Sequence, residues 1–218
     1  MKLTSDFDQS ITAPERRLLG RLTSPFKIQE YLDGLPYSPD DFYRCPLRVM
    51  RDRMAHCFDG AMFGAWALRL LGHPPLVLDI LPDQRDDDHL LALFKRNGRW
   101  GAVAKSNFAG LRFREPLYRS LRELVMSYFE QYYNVQREKT LRGYTAPLNL
   151  KSFDRWNWTT DDAALDRISD RLDEVRKVWL VTPRMAAALS PVDRRSYESG
   201  MMGANQAGLY RPPRGSKQ

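Results

Sequence analysis

The chain has 218 residues and a formal net charge of +7 at pH 7, so it is long enough to form one sizeable hydrophobic core. No run approaches the ~20 consecutive apolar residues that a membrane span needs, and residues 1–20 lack the ~7–15-residue apolar run of a secretory signal. We therefore expect a cytoplasmic protein that does not associate with membranes.

The chain has two cysteines, Cys45 and Cys57, and three histidines, His56, His73 and His89. A secreted disulfide scaffold would be richer in cysteine, and these positions match neither CxxC nor HExxH spacing. We expect both thiols to be reduced, and we expect neither a metal ion nor a cofactor.

Residues 1–44 have helix-like apolar spacing at 16–22 and 28–32, followed by turn residues at 34–40. This pattern predicts a helical N-terminal cap. Residues 57–71 form an apolar run that Gly72 and the following prolines end, which is typical of a buried helix. Short apolar runs at 76–81, 89–96 and 99–104 predict three strands, and Asn97-Gly98 is a strong hairpin signal between the last two. Residues 117–133 are predicted to be helical, which completes a core over 45–133.

The C-terminal third carries weaker signals. Residues 134–183 are predicted to add a strand at 148–153, a helix at 161–177 capped by Thr159 or Thr160, and a strand at 178–181. We therefore expect one domain over residues 1–183. From residue 184 onward the sequence contains six basic residues and two acidic ones. We expect this segment to be an irregular tail, which could contact nucleic acid through its positive charge. A solvated tail is the favoured interpretation.

Cys57 is predicted to begin the buried helix. The unpaired N–H groups and the positive end of the helix dipole favour a thiolate there. The same N–H groups could hold the oxyanion of a tetrahedral intermediate. A nucleophilic role is therefore physically reasonable, although an isolated buried cysteine is more often structural.

A nucleophilic cysteine needs an imidazole to take and return its proton. His56 directly precedes Cys57, so its side chain should diverge from the thiol. His73 lies past the far end of the helix, roughly 20 Å away at 1.5 Å per residue. His89 opens a strand that can pack on the helix, and it is our candidate base.

A third group should orient the imidazole. A two-residue Asn97-Gly98 turn makes paired positions sum to 195, so His89 would lie opposite Ser106. Asn107 has the wrong parity unless the strand ends or bulges before it. Asp79, on the neighbouring strand, is a third candidate.

The segment His56-Cys57-Phe58-Asp59-Gly60-Ala61, with the apolar run and strand after it, resembles the cysteine helix of the transglutaminase-like superfamily. His89 and Asn97-Gly98-Arg99-Trp100 resemble that superfamily's histidine strand, turn and tryptophan-bearing strand. The similarity covers residues 51–106.

The resemblance implies an α+β fold: a papain/transglutaminase-like core with a buried, cysteine-bearing helix on an antiparallel sheet, and helical additions at both ends. It implies acyl transfer or amide hydrolysis through a Cys57 thioester, with His89 as base and a protein or peptide as substrate. In one respect the sequence departs from the family, because Ala104 occupies the position where the family usually has Asp. Two alternatives follow. Either another residue orients the imidazole, or the site is weakened or inactive and the protein serves as a protein- or nucleic-acid-binding module.

Asp86, Asp87 and Asp88 directly precede His89. They could raise an imidazole pKa or attract a cationic substrate. The favoured interpretation is a solvated loop.

Overall fold

The computed structural model describes residues 10–211. The helices of this part are α1 (Ala13–Arg21), α2 (Pro25–Asp33), α3 (Pro46–Asp52), α4 (Cys57–Leu70), α5 (Leu121–Met126), α6 (Ala163–Glu174), α7 (Pro183–Ala187) and α8 (Arg194–Gly200). The strands are β1 (Leu76–Pro82), β2 (His89–Arg96), β3 (Arg99–Val103), β4 (Arg114–Tyr118), β5 (Leu141–Thr145), β6 (Leu148–Asn149) and β7 (Lys177–Trp179). Short 3-10 helices lie at Phe129–Gln131, Leu150–Trp156 and Gln206–Gly208.

The strands form one antiparallel sheet in the order β4-β3-β2-β1-β5-β7, with β6 paired to β1. The β2–β3 hairpin has the predicted register, from Arg96 opposite Arg99 to Ala92 opposite Val103. Its turn places Asn97 and Gly98 at φ 51° and 76°, which is the left-handed backbone that an Asn-Gly hairpin turn requires.

Helix α4 packs closely against one face of this sheet. A Cβ built on Gly64 would lie 2.9 Å from the Ala92 Cβ, and one on Gly60 would lie 2.2 Å from the Lys105 Cβ. Larger side chains at these two positions would push the helix off the sheet.

The sheet is buried on both faces. Leu90, Ala92 and Phe94 belong to the core on the α4 side, whereas Leu91 and Leu93 belong to a second core with α5. Side chains alternate between faces along a strand, so this division also decides which face His89 occupies.

The α+β class is confirmed: a buried helix that begins at Cys57 packs on an antiparallel sheet, and further helices lie at both ends of the chain. Within residues 10–211, no helix is both long and apolar enough to cross a membrane.

Several predicted elements are shorter than expected or of another type. The predicted helix at 117–133 is instead the end of β4, the short helix α5 and a 3-10 turn, because Ser120 caps α5 by accepting the Glu123 N–H. The predicted strand at 148–153 is only the two residues of β6, followed by a 3-10 helix. Asp162, not Thr159 or Thr160, is the N-cap of α6.

The segment after residue 184 also differs from the predicted irregular tail. It carries α8 and most of α7, and it packs on the domain through backbone contacts. The Ala109 N–H donates to the Gly200 carbonyl (2.8 Å), and the Val192 N–H donates to the Arg137 carbonyl (2.8 Å). Residues 212–218, like residues 1–9 of the N-terminal cap, lie outside the described part.

Candidate active site

His56 and Asp59 fix the N-terminus of α4, where Cys57 is the first helical residue. The His56 Nδ1 accepts the Asp59 N–H (3.4 Å), and an Asp59 carboxylate oxygen accepts the His56 N–H (3.2 Å). This reciprocal capping satisfies two donors of the first turn. The His56 ring is therefore engaged with the helix backbone.

An ion network holds the chain segment before α4 against the helix start. The fully buried Asp59 accepts the Arg44 N–H (2.7 Å), and the Arg44 guanidinium also pairs with Asp40 and Asp52. Burial raises the pKa of Asp59 to about 7, against the opposing effect of these donors. The Arg44 Nη1 also donates to the Ser38 Oγ (3.0 Å), which brings the residue next to Tyr37 into the network.

The Cys57 thiol is buried at the start of α4. Its Sγ lies 4.0 Å from the Asp88 carbonyl oxygen, and the Tyr37 hydroxyl is within interaction range. Burial, followed by the negative charges of Asp87 and Asp88, raises the pKa of the thiol well above its usual value. These effects outweigh the helix dipole that would favour a thiolate.

His89 is buried, with 4% of its surface exposed. Its Nε2 lies 2.7 Å from the Leu111 carbonyl oxygen. Because a carbonyl only accepts, Nε2 carries the proton and Nδ1 has the free lone pair. Burial lowers the pKa of His89 to about 4, so the ring is neutral at pH 7.

Cys57 and His89 line one cavity, although they belong to different faces of the sheet. His89 lies on the same face as Leu91 and Leu93, next to Tyr132 (ring centroids 6.5 Å apart). This is the face opposite α4, contrary to the expectation that β2 presents His89 to the helix. No hydrogen bond joins Sγ to the imidazole among the described residues, but both side chains line one cavity of about 50 Å³.

None of the three predicted orienting residues bonds to the His89 ring, although the Asp79 carboxyl lies within hydrogen-bonding range of the His89 backbone N–H. β3 ends at Val103, so the hairpin pairing stops before Ser106, whose Oγ accepts the Phe108 N–H (3.0 Å). Asn107 instead bonds to the backbone of Asn205, with its Nδ2 2.9 Å from the Asn205 carbonyl.

Asp79 pairs with Leu90 and lies on the α4 face. The group that orients His89 is therefore the Leu111 carbonyl. Sequence reasoning missed it because a backbone carbonyl leaves no signature in residue type.

A second cavity of about 450 Å³ opens on the α4 side of Cys57. Its acidic lining residues are Asp40, Asp41, Asp79, Asp87, Asp88 and Asp173. Asp87 and Asp88 are solvent-exposed at its rim by surface area. Asp86 is half-buried and accepts the Thr140 hydroxyl, and burial raises the pKa of Asp86 and of Asp88 to about 6, so the loop is solvated only in part. The concentration of carboxylates gives this cleft a negative field that attracts cationic groups.

Asp79 is the buried member of the acidic set, with 5% of its surface exposed. Burial, followed by the neighbouring Asp88 carboxylate, raises the pKa of Asp79 well above its usual range. Its Oδ1 is the one buried side-chain oxygen or nitrogen in residues 10–211 that has no hydrogen-bond partner. A buried polar atom of this kind is a ready acceptor for a donor that enters the cleft.

Among residues 10–211, no group of three or more His, Cys, Asp or Glu side chains is arranged to hold a metal ion. Both cysteines are free thiols.

No protein-family model matches the chain, and no curated protein matches it. Among solved structures, LapG of Legionella pneumophila is similar with a TM-score of 0.41 and 16% sequence identity, over 74% of this chain and 92% of that one. EGTA-treated Legionella pneumophila LapG gives a TM-score of 0.39 and 15% identity, over 74% and 94% of the two chains. Similarity at these TM-scores carries no weight for activity.

Proposed function

We propose that the chain is a cysteine-nucleophile enzyme of the transglutaminase-like superfamily, which forms a thioester between an acyl group and Cys57. One observation carries the proposal. A helix-initiating thiol shares a small cavity with an imidazole whose Nε2 is held by the Leu111 carbonyl, which leaves Nδ1 as the basic nitrogen. This arrangement supports a base role for His89 even though Ala104 stands where the family usually has an Asp carboxylate to orient the imidazole.

The chemistry would proceed through two acyl transfers. Cys57 Sγ attacks the amide carbonyl carbon while its proton passes to His89 Nδ1. The N–H groups of Cys57 and Phe58, which lie in the first helical turn and have no intrahelical acceptor, face the developing oxyanion. His89 then returns the proton to the departing amine, and water or a second amine cleaves the thioester.

The described arrangement is the resting state of such an enzyme. Burial raises the pKa of the thiol well above its usual value and lowers the pKa of the imidazole to about 4. Both shifts oppose proton transfer from Cys57 to His89 in this arrangement. Entry of substrate and water would lower the cost of the thiolate by relieving its burial.

The cleft favours a protein or peptide substrate with a cationic side chain near the scissile bond. Its carboxylates would repel the phosphates of a nucleic acid, and the unpartnered Asp79 Oδ1 would accept a donor from a bound peptide. A cytoplasmic setting, which would keep the Cys57 thiol reduced, is part of the proposal.

The test is direct trapping of the acyl-enzyme. The wild type is incubated with an activated thioester acyl donor, and the modified cysteine is located by peptide mass spectrometry. We expect an adduct on Cys57 in the wild type and in the matched control Cys45→Ala. We expect none in Cys57→Ala, and a rate ~10²-fold or more lower in His89→Gln. An adduct that forms equally fast in His89→Gln would refute the role of the imidazole.

A binding module is the second candidate, and the lack of a hydrogen bond between Cys57 and His89 favours it. In this case the acidic cleft would hold a basic protein segment without turning it over. Calorimetric binding of an arginine-rich peptide, unchanged in Cys57→Ala and without acyl-enzyme in the wild type, would support this function. Salt-sensitive binding of RNA in place of the peptide would instead point to a nucleic-acid partner.

A further inference from the structure

Residues 205–211, here called the strap, lie across the thiol site. Gly208 and Tyr210 line both the cavity shared by Cys57 and His89 and the larger acidic cleft. Ala207 and Leu209 line the acidic cleft as well. The chain's own C-terminal segment therefore covers Cys57 on two sides.

A two-way amide contact anchors the strap. The Asn107 Oδ1 accepts the Asn205 N–H (2.7 Å), and the Asn107 Nδ2 donates to the Asn205 carbonyl (2.9 Å). The Asn107 side-chain amide thus donates one hydrogen bond to the Asn205 backbone and accepts one from it, as a neighbouring strand residue would. Asn205 Nδ2 also donates to the Tyr37 carbonyl (2.9 Å), which ties the strap to the opposite wall of the cleft.

Gly208 brings the strap close to Tyr37. A Cβ at Gly208 would lie 2.8 Å from the Tyr37 Cδ1, so a larger residue would force the strap away from this wall. Tyr37 is also the side chain beside the Cys57 thiol. The strap therefore packs on a residue that touches the reacting group.

The strap is held mainly by hydrogen bonds, because none of its residues is buried. Segments with few buried apolar contacts open at much lower free energy than the core of the same domain. The strap can therefore leave the cleft while α4 and the sheet remain intact.

The charge of the C-terminal segment complements that of the cleft. Arg211 is the one charged residue of the strap, and no acidic residue follows Glu198 in the sequence; Arg214 and Lys217 lie outside the described residues. The cleft on which the strap lies is lined by six aspartates. A cationic peptide would meet the same field as the strap.

We propose that the strap is an intramolecular plug that occupies the place of a substrate main chain, shields Cys57 from solvent, and is displaced by a cationic peptide. The proposal deepens the proposed function, because it names a regulator and a ligand class for the same site. Shielding of the thiol, however, does not depend on catalysis and can be measured apart from it.

The test releases the strap in the full chain. Asn107→Ala removes both contacts to the Asn205 backbone, and Gly208→Val pushes the strap off Tyr37. Asn149→Ala is the matched control, because Asn149 caps the 3-10 helix at Leu150–Trp156 and does not line the cleft. Alkylation of Cys57 by iodoacetamide is followed by mass spectrometry, with the buried Cys45 as internal reference.

Loss of two hydrogen bonds is expected to raise the rate of Cys57 alkylation ~10-fold or more in Asn107→Ala. We expect a similar rise in Gly208→Val and none in Asn149→Ala. A synthetic peptide of residues 204–218, added to Gly208→Val, should restore protection. A peptide with glutamate in place of its three basic residues should not.

Equal alkylation of Cys57 in the wild type and in both release variants would overturn the proposal, as would a basic peptide that does not protect. These outcomes are separable from failure of the proposed function. Faster alkylation of Cys57 in the release variants without any acyl-enzyme would support the plug and contradict the proposed enzyme activity. An acyl-enzyme together with unchanged alkylation rates would support the enzyme activity and contradict the plug.

Discussion

The protonation state of His89 makes a measurable contribution to stability. In the unfolded chain the imidazole takes up a proton at a pKa of about 6.5, whereas burial lowers the pKa in the folded chain to about 4. Between these values the unfolded state binds a proton that the folded state does not. The contribution of the neutral His89 ring to the free energy of unfolding is therefore complete above pH 6.5, and it is lost as the pH falls towards 4.

The size of the effect follows from the shift. A difference of roughly 2.5 pKa units corresponds to about 3 kcal/mol. His89→Gln is the suitable comparison, because its amide can still donate to the Leu111 carbonyl but cannot take up a proton in this range. The free energy of unfolding of the wild type minus that of His89→Gln should rise by about 3 kcal/mol from pH 4 to pH 6.5.

Urea denaturation of both proteins at several pH values gives this difference directly, and pH effects from other groups largely cancel. Nitrogen-15 NMR of the histidine rings should show the Nε2-protonated tautomer for His89 at pH 7. A difference in unfolding free energy that stays constant between pH 4 and 6.5 would refute a buried, neutral imidazole.

Three further predictions concern the support of α4, and each is measured by chemical denaturation. Gly60→Ala should destabilise the fold by about 1–3 kcal/mol, because its Cβ would meet the Lys105 Cβ at 2.2 Å; the open site in Gly20→Ala should show no such loss. Asp59→Ala should cost about 1–3 kcal/mol, because the Arg44 and His56 backbone N–H groups lose their acceptor while the Arg44 guanidinium keeps Asp40 and Asp52, and an unchanged free energy of unfolding would contradict that role. Burial lowers the pKa of Lys105 to about 8 from 10.5. The free energy of unfolding of the wild type minus that of Lys105→Met should therefore rise by about 3 kcal/mol between pH 8 and 10.5. If this difference does not change with pH, the Lys105 ammonium is exposed.

Features set by local chemistry could be predicted from the sequence. The Asn97-Gly98 turn fixed the hairpin and its register, because that turn accepts positive φ at both positions. The start of α4 at Cys57 followed from the long apolar run and the break at Gly72. Gly60 and Gly64 lie one turn apart in the sequence, and this spacing allows the close approach of the helix to the sheet.

The face of His89 could not be read from the sequence. β2 is buried on both faces along most of its length, so its apolar pattern has no alternation to mark the face that α4 covers. Only the packing of α4 against Ala92 settles that choice. The role of the Leu111 carbonyl and the position of the strap depend on long-range contacts that leave no local pattern either.

The titration of Cys57 in the strap-released chain Gly208→Val, with and without His89→Gln, tests most directly whether thiol and imidazole share a proton. Thiolate is followed by its ultraviolet absorbance, and Cys57→Ala gives the background from Cys45. We predict that the released chain forms thiolate at a lower pH than the wild type, and that His89→Gln moves this transition back up. Identical titrations with and without the imidazole would contradict a Cys57–His89 pair.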